Sequence, residues 1–152
     1  MRRRKLLRLS EKLRVLFLCT HNSARSQMAE GWLRHRYGDR FEAFSAGTEV
    51  TAVRPLAIRA MQEVGVDISG QHSKTLERYL NEPWDYVITV CDEANQACPV
   101  FPGGRNRRHW SISDPSLATG QEAEQLAVYQ RVRDDLRRRV DTLSAELQAN
   151  SQ

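Results

Sequence analysis

Apolar residues along this chain follow two rhythms in turn. Residues 15–18 (VLFL) form a continuous apolar run ended by a polar loop, the pattern of a strand covered on both faces of a parallel sheet. Met28, Trp32 and Leu33 follow at helical spacing as far as Gly38, and residues 41–46 (FEAFSA) predict a second strand. Pro55 opens a second helical pattern, carried by Leu56, Ala57, Ala60, Met61 and Val64 and closed by Gly65. Residues 75–80 predict a short helix, and 84–90 (WDYVITV) give the clearest strand, ending at Cys91. The polar stretch 92–97 has room for one or two helical turns before Pro99, Pro102, Gly103 and Gly104 break the chain, and 109–112 predict a last short strand. From Gly120 onward, Leu126, Tyr129, Val132, Leu136, Val140, Leu143 and Leu147 step by three or four residues, which makes one apolar stripe on a long helix.

Strands alternating with helices predict an α/β fold: a single-domain three-layer sandwich, its four-stranded parallel sheet flanked by helices and joined by right-handed crossovers. In such sheets ligands bind beyond the carboxyl ends of the strands, where Cys19 and Cys91 both fall. The chain has 152 residues, enough for one core, and no apolar run approaches the roughly 20 residues of a membrane span. The basic opening, residues 1–12, has only Leu6, Leu7 and Leu9 as large apolar residues after the initial Met; it reads as an extension before a domain over 13–152. Export is therefore not expected, and a cytoplasmic setting is.

The net charge of +4 favours anionic partners. The arginine runs at 105–108 and 137–139 lack interleaved aromatics, so nucleic acid is not expected. With no unexplained apolar stripe left over, a monomer is expected.

Three cysteines, Cys19, Cys91 and Cys98, are an odd number for a chain without an export signal, so free thiols rather than structural disulfides are expected. Five residues, Thr20, His21, Asn22, Ser23 and Ala24, separate Cys19 from Arg25. A loop of that length entering a helix can curl its N–H groups around a tetrahedral oxyanion, with Arg25 gripping two oxygens and Ser26 donating its hydroxyl to a thiolate. The field that binds an anion also favours Cys19 as the charged nucleophile. Spacing alone leaves open a Cys19 that is merely a small core residue beside an unrelated arginine. Zinc ligand pairs are usually about two to four residues apart, whereas six residues lie between Cys91 and Cys98, so no metal is expected.

The loop and helix start CTHNSARSQMAEG (19–31), together with FSAG (44–47), VITVCDEANQACP (87–99) and WSISDP (110–115), resemble the low-molecular-weight tyrosine phosphatase superfamily. Within it they resemble the arsenate reductase branch coupled to thioredoxin, and the similarity runs from Val15 to the final helix. The loop marks the superfamily; the pair Cys91 and Cys98 marks the reductase. The resemblance implies that residues Thr20, His21, Asn22, Ser23, Ala24, Arg25 and Ser26 hold arsenate, with phosphate and sulfate as competitors. Cys19 then attacks arsenate, Asp114 protonates the departing hydroxyl, Cys91 attacks Cys19 to release arsenite, and Cys98 takes over the disulfide. Thioredoxin or a related thiol reductant regenerates the pair, and no tightly bound cofactor is implied.

Some such reductases hold a monovalent cation behind the loop, where Asn22, Glu30 and Ser45 stand here; Lys74 falls where an acidic partner is expected, so its ammonium is expected to replace the ion. Ser116 follows Asp114 and Pro115 where phosphatases tend to carry tyrosine, and Gln27 stands where they commonly have proline. Both departures point away from a tyrosine phosphatase, which stays the alternative through Cys19, Arg25 and Asp114. Ala24 replaces a second loop cysteine, so no disulfide forms within the loop. Residues seven apart on an intact helix lie about 10.5 Å along its axis, while a disulfide needs Cα atoms roughly 4.4–6.8 Å apart. Residues 92–97 are therefore expected to unwind on oxidation and to be the mobile part of the molecule. His21 is expected to face water, His72 and His109 to be structural or exposed, and Trp84 and Trp110 to pack.

Overall fold

The computed structural model describes residues 12–91 and 101–150. The basic residues 1–11, the segment 92–97 and Cys98 lie outside the described residues. Four parallel strands form one sheet in the order β2-β1-β3-β4: β1 (Leu13–Cys19), β2 (Phe41–Gly47), β3 (Tyr86–Thr89) and β4 (Asn106–His109). The chain steps from β1 outward to β2, then crosses to the other side of β1 to lay down β3. The crevice of such a sheet opens at that reversal, beyond the ends of β1 and β3.

β1 is central, and Val15 through Cys19 are all buried, as a two-faced apolar run requires. One face carries α1 (Arg25–Tyr37), α2 (Pro55–Gln62) and α3 (Glu122–Asn150). Their buried side chains, among them Met28, Leu33, Ala60, Met61 and the whole predicted stripe from Leu126 to Leu147, pack with Val15, Phe17 and Ile88 in one cluster. The Trp32 indole N–H donates to the Arg133 carbonyl at 2.9 Å and ties α1 to α3. The other face holds Leu16, Leu18, Ala46, Val87 and Phe101 under Tyr79 and Trp84. Phe44, Tyr79 and Trp84 meet edge to face at 5.2–5.7 Å, with the Arg14 guanidinium 4.4 Å over the Trp84 ring, so Trp84 packs as expected.

Three boundaries differ from the sequence reading. The last strand is Asn106–His109 rather than 109–112: Tyr86 pairs with Asn106, and β3 recruits a polar edge strand through its backbone. Trp110 and Ile112 lie just past it, buried and bonded to the Thr89 and Cys91 carbonyls, which is why they read as strand. Residues 75–80 form a 3-10 turn, Leu76–Tyr79, not an α-helix. The second helix stops at Gln62, leaving Val64 39% exposed before Gly65 turns the chain at φ +81°.

Candidate active site

Cys19 is the last residue of β1 and is buried; the five residues after it curve back before α1 begins at Arg25. Every carbonyl of this loop is held from outside. Thr20 O accepts from the Thr48 and Glu49 N–H groups, and His21 O accepts from the Thr51 and Ser73 hydroxyls. Asn22 O accepts from Gln27 Nε2, Ser23 O from the Arg54 N–H, and Ala24 O from the Met28 N–H. In a trans peptide the N–H opposes the C=O, so carbonyls drawn outward turn the following N–H groups inward. The Asn22 N–H, 3.2 Å from Cys19 Sγ, shows the result. That turn needs φ +50° at Asn22, the one non-glycine described residue at positive φ and a residue type that tolerates it.

Gly47 completes the wall. A Cβ there would lie 2.6 Å from Thr20 O, 2.9 Å from Asn22 N and 3.0 Å from Cys19 O, so only glycine lets β2 end against the loop.

Behind the sulfur, Ser26 Oγ lies 2.9 Å from Cys19 Sγ and accepts a hydrogen bond from Asn22 Nδ2 at 2.8 Å. That bond leaves the Ser26 hydroxyl proton free to turn to the sulfur, either atom of the pair being able to donate, and a thiolate at Cys19 would accept it. Arg25 is buried at 3% exposure: one guanidinium nitrogen donates to Ile112 O at 3.0 Å and another stands 3.6 Å from Asp114 Oδ2. The other oxygen of Asp114 accepts from the Ser116 N–H at 2.9 Å and the Ser116 hydroxyl at 2.7 Å. Ser116, noticed in the sequence only as a missing tyrosine, thus orients the carboxylate beside Arg25.

The expected set behind the loop also comes together. Ser45 Oγ donates to Glu30 Oε1 at 2.5 Å, Arg34 pairs with Glu30 Oε2 at 2.6 Å, and Lys74 Nζ lies 3.8 Å from Glu30 Oε1 while donating to His72 O at 2.6 Å. The Lys74 backbone N–H donates to Asn22 Oδ1 at 2.9 Å. Burial draws the Lys74 ammonium below the ordinary lysine range, opposed by the nearby Glu30 carboxylate. The His21 ring lies 3.5 Å from the Glu49 carboxylate, with its side chain 39% exposed.

Cys91 is fully buried one residue past the level of Cys19: Leu18 pairs with Thr89, and the Val90 N–H donates to Leu18 O. It packs in the same cluster as Cys19, with its thiol 4.0 Å from Leu18 O. Cys98 lies outside the described residues. Among the described residues, no group of three or more His, Cys, Asp or Glu side chains converges as a metal site, and no helix is long and apolar enough to cross a membrane. Sequence reading missed Thr48, Thr51, Arg54 and Ser73, which hold the loop carbonyls from segments 28–52 residues away and carry no local signal.

A loop whose carbonyls are all held outward, with a buried arginine at its end and a buried cysteine at the strand end before it, is an arrangement suited to holding an oxyanion over a sulfur nucleophile. The chain belongs to the low molecular weight phosphotyrosine protein phosphatase family, whose sequence profile matches residues 14–152. Among curated relatives it is 45% identical over 130 residues to the arsenate reductase of Halalkalibacterium halodurans, covering 86% of this chain and 94% of that protein. Among solved structures it resembles an arsenate reductase in the phosphate binding state, with a TM-score of 0.74 and 34% identity over 88% of this chain and 98% of that one. It also resembles the thioredoxin-dependent arsenate reductase of Corynebacterium glutamicum, with a TM-score of 0.67 and 30% identity over 94% of this chain and 65% of that one.

Proposed function

We propose that this protein reduces arsenate to arsenite with electrons from its own thiols. The carrying observation is the pairing of an anion cradle built around Cys19 with a second buried cysteine, Cys91, at the end of the neighbouring strand. A phosphatase needs the first and has no use for the second.

Arsenate sits among the inward N–H groups of residues 20–25, with Arg25 turning from Asp114 to take two of its oxygens. The Cys19 thiolate forms a bond to arsenic, and an arsenic-bound hydroxyl leaves as water with a proton from Asp114. Cys91 attacks Cys19 Sγ: a disulfide forms, the sulfur–arsenic bond breaks, and its electron pair stays on arsenic, which departs as arsenite. Cys98 displaces Cys19 from Cys91, restoring the Cys19 thiolate and leaving a Cys91–Cys98 disulfide. A dithiol reductant reduces that bridge and is itself oxidised, so two electrons enter and two leave. Thioredoxin suits this step, and the resemblance to a thioredoxin-dependent relative supports it. The Lys74 ammonium, near Glu30 and Ser45, supplies the positive charge that a monovalent cation would otherwise give this loop.

The test is arsenate-dependent NADPH consumption with thioredoxin and thioredoxin reductase. The parent chain turns over repeatedly, whereas Cys91→Ser stops at the Cys19–arsenic adduct with no arsenite released and Cys98→Ser stops after one arsenite, as a Cys19–Cys91 disulfide. A Cys98→Ser chain that cycles at the parental rate overturns the relay. Hydrolysis of an aryl phosphate by the parent, with no arsenate turnover, would favour the phosphatase reading instead.

A further inference from the structure

Gln27 and Gln71 are left unused by this chemistry, and both are amides wired toward the sulfur. Gln71 Oε1 accepts from Arg34 at 3.2 Å, Gln71 Nε2 donates to Gln27 Oε1 at 2.7 Å, and Gln27 Nε2 donates to Asn22 Oδ1 at 3.0 Å. Asn22 Nδ2 then donates to Ser26 Oγ, which faces Cys19 Sγ. Each link from the surface guanidinium as far as Ser26 points its donor at the next group, and Ser26 Oγ ends the chain 2.9 Å from the nucleophile in the core.

The direction of the chain is pinned by backbone groups whose roles cannot reverse. Gln27 Nε2 also donates to the carbonyls of Asn22 and His72, at 3.1 and 3.0 Å, and neither carbonyl could serve a flipped amide oxygen. Gln71 Nε2 donates to the Gln27 carbonyl at 3.0 Å, which fixes its orientation in the same way. The Lys74 N–H on Asn22 Oδ1 fixes the third amide. With all three held, Asn22 Nδ2 donates to Ser26 Oγ, whose own proton is free to turn to the sulfur 2.9 Å away. Gln27, Asn22 and Ser26 are each 0% exposed, so the aligned dipoles act in a medium that screens them little.

We infer that Gln27 and Gln71 are positioning residues that carry a directed hydrogen-bond chain from Arg34, itself paired with Glu30, through Asn22 and Ser26 to Cys19, holding its sulfur as an acceptor. This rests on the reading of Cys19 as the nucleophile. It also gives Gln27 a purpose that proline, lacking an amide, could not serve.

The test reads the sulfur directly, in a chain carrying Cys91→Ser and Cys98→Ser so that Cys19 is the only thiol. Alkylation by iodoacetamide at mildly acidic pH and ultraviolet thiolate absorbance are measured for that chain and for Gln71→Met, Gln71→Glu and Gln27→Met. Gln71 is partly exposed, so its variants leave the core intact. Gln71→Met is expected to slow alkylation about threefold and to lower the absorbance in step, the size of one polarised link in a charge-assisted chain. Gln71→Glu, which fills the same volume but cannot donate to Gln27, slows it at least as much. Unchanged alkylation and absorbance in Gln71→Met, or a Gln71→Glu chain as reactive as the parent, overturns the relay. Neither readout involves arsenate or thioredoxin, so slowed alkylation in a chain that fails to reduce arsenate would uphold the relay and sink the proposed activity.

Discussion

Asn22 sits in left-handed backbone space at φ +50°, and each of its polar atoms has a fixed partner: the N–H faces Cys19 Sγ, the carbonyl and Oδ1 accept from Gln27, and Nδ2 donates to Ser26. Its residue type was a legible hint of the conformation; its partners were not, since one amide donor to Oδ1 comes from Lys74, 52 residues away. Lys74 is also where the site's charge balance becomes measurable. Its pKa is lowered in the folded chain by burial, with Glu30 opposing. Between that lowered value and the ordinary lysine value the unfolded chain holds more protons than the folded one, so the stability contributed by Lys74 rises with pH across the window and is smallest below it. Urea unfolding of the parent and of Lys74→Met should therefore show the difference moving in the parent's favour from neutral to alkaline pH. The raised pKa values of Tyr79 and Tyr129 pull the other way but are shared by both chains and cancel in the difference. A difference that is flat, or moves toward the variant, would mean that the ammonium is not desolvated by the fold.

At the level of elements, α1 departs furthest from an amphipathic pattern. Its first nine residues are all buried, including Arg25, Ser26, Gln27 and Glu30, because its opening turns sit inside the site rather than against solvent. β2 does similar service, its last residue wedged under the loop. Gly47→Ala would push a methyl group into three backbone atoms, none of which can swing aside as a side chain can. The cost is about 1–3 kcal/mol of strain, and arsenate turnover should fall well beyond what that loss of stability explains, because the loop itself must shift. Thermal unfolding and turnover measured on the same sample check this; an alanine variant with parental turnover would show that the loop tolerates displacement. The long stripe of α3 was fully legible, since periodic burial repeats over 29 residues. The polar edge strand β4 was not, because an edge strand is set by backbone pairing to a neighbour that the local pattern does not name.

For the molecule as a whole, binding to the folded cradle stabilises the entire fold by linkage, about 2.7 kcal/mol when an anion stands at 100 times its Kd. Phosphate or arsenate should raise the Tm of the parent chain in proportion to the logarithm of its concentration. Arg25→Ala should lose that rise; an equal rise in the variant would put the anion elsewhere. What the sequence alone determined was the layered α/β class, the cysteine at the end of the first strand, and the loop length from Cys19 to Arg25, because these depend on local periodicity and on the reach of a few consecutive residues. What only the tertiary structure decided was which way the loop's peptide planes face and how its amides are oriented. Those orientations come from hydroxyls, N–H groups and side-chain amides brought in from distant segments, and a hydrogen bond depends on distances that chain separation does not encode.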